Sequence, residues 1–269
     1  MKYRGKSILL WILSFLLMAG AAVYQRMTGP THPTYGKIEI AGQKIKYKLI
    51  RTWEGETDAE IRIKAPGENI RGKYRYKRYK SFDEWSETAM LRDSNELVAY
   101  LPGQAAAGKV EYEVFLGSGQ QFTKLEEEPL VLRYKGHVPL GVLIPHIIII
   151  FMAMMFSMRT GMEAIINGRN LVNYAMWTVI LLALGGMILG PIVQKYAFDA
   201  YWTGWPFGQD LTDNKTLAAF ILWIAAWLQV RNNPNKKAWV IAAAIGLLAV
   251  YLIPHSMFGS EIDYTQQGG

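Results

Sequence analysis

The chain has 269 residues, 29 Lys and Arg against 22 Asp and Glu, 51% hydrophobic residues and no Cys. The lack of Cys excludes a disulfide-stapled secreted domain, thiolate chemistry, iron–sulfur clusters and Cys-based zinc sites. So much apolar sequence excludes a disordered chain, and the net charge of +7 is unevenly distributed.

Residues 8–24 form an uncharged apolar run behind a basic start, Lys2, Arg4 and Lys6. At 1.5 Å per residue, that run covers most of a bilayer core. Its small-residue end, Ala19 to Ala21, also suits a cleavage site, so residues 1–25 read as a signal anchor or a signal peptide.

The charged residues crowd into the next segment, 26–137, whose pattern has period two. Charged and apolar residues alternate in Lys44 to Leu49, Ala59 to Lys64, Val110 to Val114 and Leu130 to Lys135, as in strands with one buried face. Turn signals separate them at Ala41-Gly42, Pro66-Gly67, Pro102-Gly103 and Gly117 to Gly119. About seven such strands predict an all-β sandwich of the immunoglobulin or fibronectin type. One helical exception is expected over Phe82 to Met90, with Ser81 as its cap.

Arg71 to Lys80 is the most basic strand: Arg71, Lys73, Arg75 and Lys77 share one face, with Tyr74 and Tyr76 on the other. Lys44, Lys46 and Lys48 form a second basic row. Such faces suit an acidic protein, an anionic glycan or lipid headgroups, or are simply solvated edges that discourage aggregation.

Four further uncharged segments follow at 138–158, 171–193, 216–230 and 238–258, giving a four-helix transmembrane domain over 138–258 and a tail over 259–269. Arg159, Arg169, Arg231, Lys236 and Lys237 lie in the connections on the amino-terminal side. The positive-inside rule puts that side in the cytoplasm, and the segment 26–137 and the carboxyl terminus outside. The fold expected is an integral membrane helical bundle of four to five spans with an inserted β-sandwich. It belongs in a bacterial cytoplasmic membrane, where the exported basic face meets no nucleic acid.

His146 and His255 are the two histidines in the spans, and each ends a Leu-Ile-Pro-His tetrapeptide. Both fall near the outer surface, where facing imidazoles could ligate haem b or bind a quinol. The plainer expectation is that each ring satisfies backbone freed by its preceding proline. Gly185, Gly186 and Gly190 mark a close helix contact, and the methionines at 152, 154, 155 and 158 are ordinary filling.

In the outer loop Trp202, Trp205 and Phe207 suit an interfacial belt. Asp213 reads as the cap of the next helix, with Asp210 just before it. Asp199, Asp210, Glu261, Asp263 and His255 are a weaker candidate cation cluster, without any fixed metal-binding spacing.

There is no Walker A sequence, dinucleotide fingerprint, nucleophile elbow or EF-hand loop. No catalytic residue is assigned, and an enzyme is disfavoured. The expected role is a recognition or assembly module for other membrane or periplasmic proteins, with Arg71, Lys73, Arg75, Lys77, Trp202, Trp205, Asp210 and Asp213 as partner-binding residues. The alternative is an electron-transfer subunit that holds haem b or quinone at His146 and His255.

Overall fold

The structure, a computed structural model, describes residues 2–254, 259 and 261–265. The chain divides into two compact units, a helical one and a β one, the latter built mainly from Thr31–His137.

Among the described residues the β unit has eleven strands: β1 (Thr34–Ile40), β2 (Gln43–Leu49), β3 (Thr52–Glu54), β4 (Ala59–Lys64), β5 (Ile70–Arg78), β6 (Ser86–Ala89), β7 (Leu91–Asp93), β8 (Glu96–Leu101), β9 (Lys109–Ser118), β10 (Gln121–Lys124) and β11 (Leu130–Lys135). They form a two-stranded sheet β1-β2, a six-stranded sheet of order β3-β11-β9-β5-β6 with β10 also on β9, and a three-stranded sheet β4-β8-β7. Alternation decides which side chains go inward. Ile45, Tyr47 and Leu49 of β2, Ile61 and Ile63 of β4, and Val110, Tyr112 and Val114 of β9 meet in one core.

Tyrosines in that core still satisfy their hydroxyls, since Tyr112 donates to the Ile50 carbonyl at 2.7 Å and Tyr47 to the Leu125 carbonyl at 2.8 Å. Opposite Tyr47 stands Gly36, where a Cβ would fall 2.1 Å from the Tyr47 hydroxyl. The β1–β2 turn, Ala41-Gly42, holds both residues at positive φ, 50° and 77°, as a two-residue hairpin requires.

The helix expected over Phe82 to Met90 is absent. Ser86–Ala89 instead pairs with β5, and the Ser81 hydroxyl donates to the Arg78 carbonyl at 2.8 Å within the preceding turn. Backbone pairing along an open strand outweighs a capping signal with no long apolar stripe behind it.

The helical unit contains α1 (Lys2–Thr28), α2 (Leu140–Ile165), α3 (Leu171–Phe198), α4 (Leu211–Asn232) and α5 (Ala238–Leu252). Over Lys6–Thr28, Leu140–Ile165 and Leu171–Phe198 the helices are long and apolar enough to cross a membrane. The other two expected spans are less clear-cut. The first two turns of α4 carry Asp213 and Lys215, and α5 has 15 residues. Helix exteriors are apolar: Phe15, Leu16, Ile148 and Ile245 are each more than half exposed. On α1 the inward stripe repeats every three or four residues through Trp11, Ser14, Met18, Ala21 and Gln25.

Arg159 corrects the expected boundaries. It does not lie in a connection: α2 continues to Ile165, and the side chains of Arg159 and Glu163 are both fully buried, 2.6 Å apart. Trp11 and Tyr174 flank the guanidinium, 5.6 and 5.0 Å from their ring centres, and Arg159 Nη2 reaches Ser7 Oγ at 3.4 Å. Glu163 accepts from the Asn170 amide at 3.0 Å, where a carboxylate also meets the positive end of α3. One ion pair thereby joins α1, α2 and α3. At the far end Gln25 Nε2 and Lys215 Nζ donate to the Tyr251 and Ile253 carbonyls at 2.8 and 2.6 Å, closing the carboxyl end of α5.

Two glycines separate this clamp from generic helix packing. At Gly168 a Cβ would come within 2.0 Å of Glu163 Cδ, whereas around Gly20 nothing lies within 4 Å. Gly168→Ala should therefore displace the carboxylate and cost about 2–4 kcal/mol, while Gly20→Ala should be neutral or stabilise by up to about 1 kcal/mol. Equilibrium unfolding in mixed detergent checks both, and equal effects would contradict the assignment.

Candidate functional site

Three places carry the functional candidates: the middle of α3, the loop before α4, and the β5 face. The first begins with a break in helical regularity. Residues Ala183–Leu189 of α3 form a π-helical turn, a feature often associated with functional positions. His146 Nδ1 lies 3.0 Å from the Gly185 carbonyl, which can only accept, so Nδ1 carries a proton and, in the neutral ring, Nε2 keeps its lone pair. The glycines make this approach possible. A Cβ on Gly185 would lie 3.0 Å from the Ile150 amide nitrogen, and one on Gly186 would lie 2.8 Å from Thr216 Cγ2. His255 lies outside the described residues.

The loop between α3 and α4 is fastened from within. Asp210, not Asp213, is the amino-terminal cap of α4, accepting from the Thr212 amide at 2.8 Å. Asp213 is one turn further in and accepts from the Thr203 and Gly204 amides at 2.7 and 3.0 Å and from Gln194 Nε2 at 3.1 Å. Trp202 Nε1 donates to the Trp205 carbonyl at 3.1 Å, and the Trp205 amide donates to Asn214 Oδ1 at 2.6 Å. Both aspartates are therefore engaged in holding the loop, while Trp205 and Phe207 project, 70% and 84% exposed.

On β5 the predicted alternation places Arg71, Lys73, Arg75 and Lys77 on one face, but three of the four meet acids. Lys73 pairs with Glu87 at 2.9 Å, Arg75 with Glu113, and Lys77 with Glu111 at 3.9 Å. The Trp85 ring lies under Arg75 and Lys77, 4.7 and 5.3 Å away. Arg71 is exposed and has no ion pair among the described residues. It borders a cleft of about 510 Å³ whose wall includes Lys73, Glu87, Met90, Arg92 and Phe122. Arg92 shapes that cleft from behind, donating to the Ala65 and Gly67 carbonyls at 2.8 and 3.1 Å and to Ile70.

Pattern reading overlooked Glu87, Met90 and Phe122: the first two lie in and just after the exposed strand β6, the third on the distant strand β10, and no periodic pattern joins them. Among the described residues no three His, Asp or Glu side chains gather as metal ligands. Glu261, placed in the cation cluster by sequence, is engaged by Lys80 and Lys109 at 2.7 and 2.6 Å.

These pairs shift the carboxylates of the β unit. Burial favours the neutral form of Glu113, but Arg75 and Lys124 outweigh it and hold Glu113 below the usual range. Burial is likewise outweighed at Glu261 by Lys109 and Lys80. The Arg78 guanidinium, 2.7 Å away, draws Asp83 down from 3.8 to about 2. A carboxylate with a lowered folded-state pKa contributes stability above its unfolded value and loses it as pH falls through the folded value. The β unit of the wild type should therefore lose stability between about pH 4 and pH 2 more steeply than that of Asp83→Asn, as followed by the melting temperature. Parallel slopes would contradict the Arg78 pairing.

Comparison with known protein families, curated proteins and solved structures returns no match.

Proposed function

We propose that this chain is a bacterial inner-membrane protein whose β unit, an immunoglobulin- or fibronectin-like sandwich on the periplasmic side, is a recognition or assembly module for another protein. The observation that carries this reading is the cleft beside β5. Its wall joins apolar Met90 and Phe122 to an Arg71 guanidinium that has no ion pair among the described residues. A concave wall that mixes apolar and charged side chains suits an extended side chain of a partner. Orientation is supported by the helix ends, since Arg169, Arg231, Lys236 and Lys237 all fall at connections on the amino-terminal side of the bundle. In this role no bond is made or broken. The exposed Trp205 and Phe207 suit the lipid interface, on a loop whose Thr203, Gly204 and Trp205 amides all have internal acceptors.

A second reading, electron transfer through haem b or quinol, is favoured by one observation: the carbonyl of Gly185 accepts from His146 Nδ1, which leaves Nε2 of the neutral ring as the free lone pair. Metal-binding histidines are commonly oriented this way, although the same bond suffices as a structural tie across the π-helical turn. Ligation by two histidines would also require His255.

One preparation separates the two. The full chain is captured from native membranes after cross-linking, and the purified sample is scanned for absorbance before and after dithionite. The recognition role predicts a partner that wild type retains, that Arg71→Ser/Lys73→Ser loses, and that salt weakens, with no haem band. Unchanged co-purification by the double variant would reject the cleft. A haem band lost in His146→Ala would move the assignment to electron transfer.

A further inference from the structure

The cations of β5 are largely neutralised, but those of the β1–β2 hairpin are not. Its outward face carries Tyr35, Lys37 and Glu39 on β1 and Lys44, Lys46 and Lys48 on β2, all exposed. None of the four lysine side chains has an ion pair or hydrogen bond among the described residues. Their register is specific. Lys37 stands directly opposite Lys46, Lys44 opposite Glu39, and Lys48 opposite Tyr35. Facing side chains on a two-stranded ribbon are about 5 Å apart, and like charges placed so are destabilising. Such a pair at the centre of the hairpin costs stability, and an anion laid across it would remove the repulsion.

We propose that this face binds an acidic polypeptide segment in extended conformation, with Asp or Glu at alternate positions. The spacing supports that occupant. Lys44, Lys46 and Lys48 recur every second residue, about 6.8 Å apart, the same repeat as side chains on one face of any extended chain. Carboxylates at alternate positions therefore meet successive ammonium groups without a change of register. Tyr35, 61% exposed beside Lys48, adds an apolar surface at one end of the row. Glu39 at the turn end faces Lys44 and leaves the excess charge centred on Lys37, Lys46 and Lys48. The surface is separate from the β5 cleft and requires only that the β unit is available to a partner.

The test uses the full chain in an uncharged detergent and a labelled decapeptide of alternating Glu and Thr, read by fluorescence anisotropy. Wild type should bind the peptide at low ionic strength and lose about tenfold in affinity on moving to physiological salt. Lys37→Ser/Lys44→Ser/Lys46→Ser/Lys48→Ser should lose at least about tenfold, while Arg71→Ser/Lys73→Ser should bind as wild type. The quadruple variant should melt at or above the wild-type temperature because the Lys37–Lys46 repulsion is gone, so lost binding is not lost folding. Equal binding by wild type and the quadruple variant overturns the proposal. It is also overturned if wild type ignores the peptide and the four lysines become protected from amine-reactive labelling only in discs of anionic lipid, which assigns the face to headgroups. Peptide binding that survives in the cleft variant separates this surface from the cleft, so either can fail alone.

Discussion

A guanidinium and a carboxylate wholly withdrawn from solvent, Arg159 and Glu163, set the terms for the helical unit. Removing two charges from water costs several kcal/mol per ion and is offset only by close pairing and further polar contacts. Those contacts come from different helices: Ser7 and Trp11 of α1, Tyr174 of α3, and the backbone amide of Asn170. Shifting any of the three helices by a turn would leave a buried charge without part of its shell. The pair therefore specifies which face of each apolar helix turns inward, a choice that oily side chains alone leave loosely defined. Farther along the helices His146 ties the π-helical turn to α2, and Gln25 and Lys215 close the end of α5.

The β unit handles charge in the opposite manner. Lys73, Arg75 and Lys77 are paired across strands, and such pairs contribute little to long-range attraction because their fields cancel within a Debye length. Arg71 and the hairpin lysines keep their fields. Net charge in the β unit is thus less informative than the positions where it remains uncompensated. Those positions, a mixed cleft and a cationic ribbon, are the two surfaces proposed above for contact with other molecules.

Much of this architecture was legible in the sequence where one physical rule dominates. Period-two patterning predicted β2, β4, β9 and the facing of β5, because a strand with one buried face has no other way to dispose its side chains. Ala41-Gly42 announced a hairpin turn for the same reason. Reading failed where two rules compete. Arg159 near the end of an apolar run resembles a cytoplasmic flank, and only its four-residue spacing from Glu163 hinted at a buried pair on one helix face. Asp210 and Asp213 both resemble caps, and the geometry of the preceding loop decides between them. Strands β6 and β7 are short and exposed, so they lack any burial pattern to read. The glycines of α3 marked a close helix contact, but the π-helical turn over Ala183–Leu189 has no periodic signal of its own.

The central claim is that Arg159 and Glu163 act as one unit in the interior of the bundle. A double-mutant cycle with Arg159→Met and Glu163→Leu, measured by equilibrium unfolding of the full chain in mixed detergent, tests it most directly. Each single change should cost about 3–5 kcal/mol, because it strands a buried charge, and the double change should recover most of that loss. Small single effects, or losses that simply add in the double variant, would contradict the account.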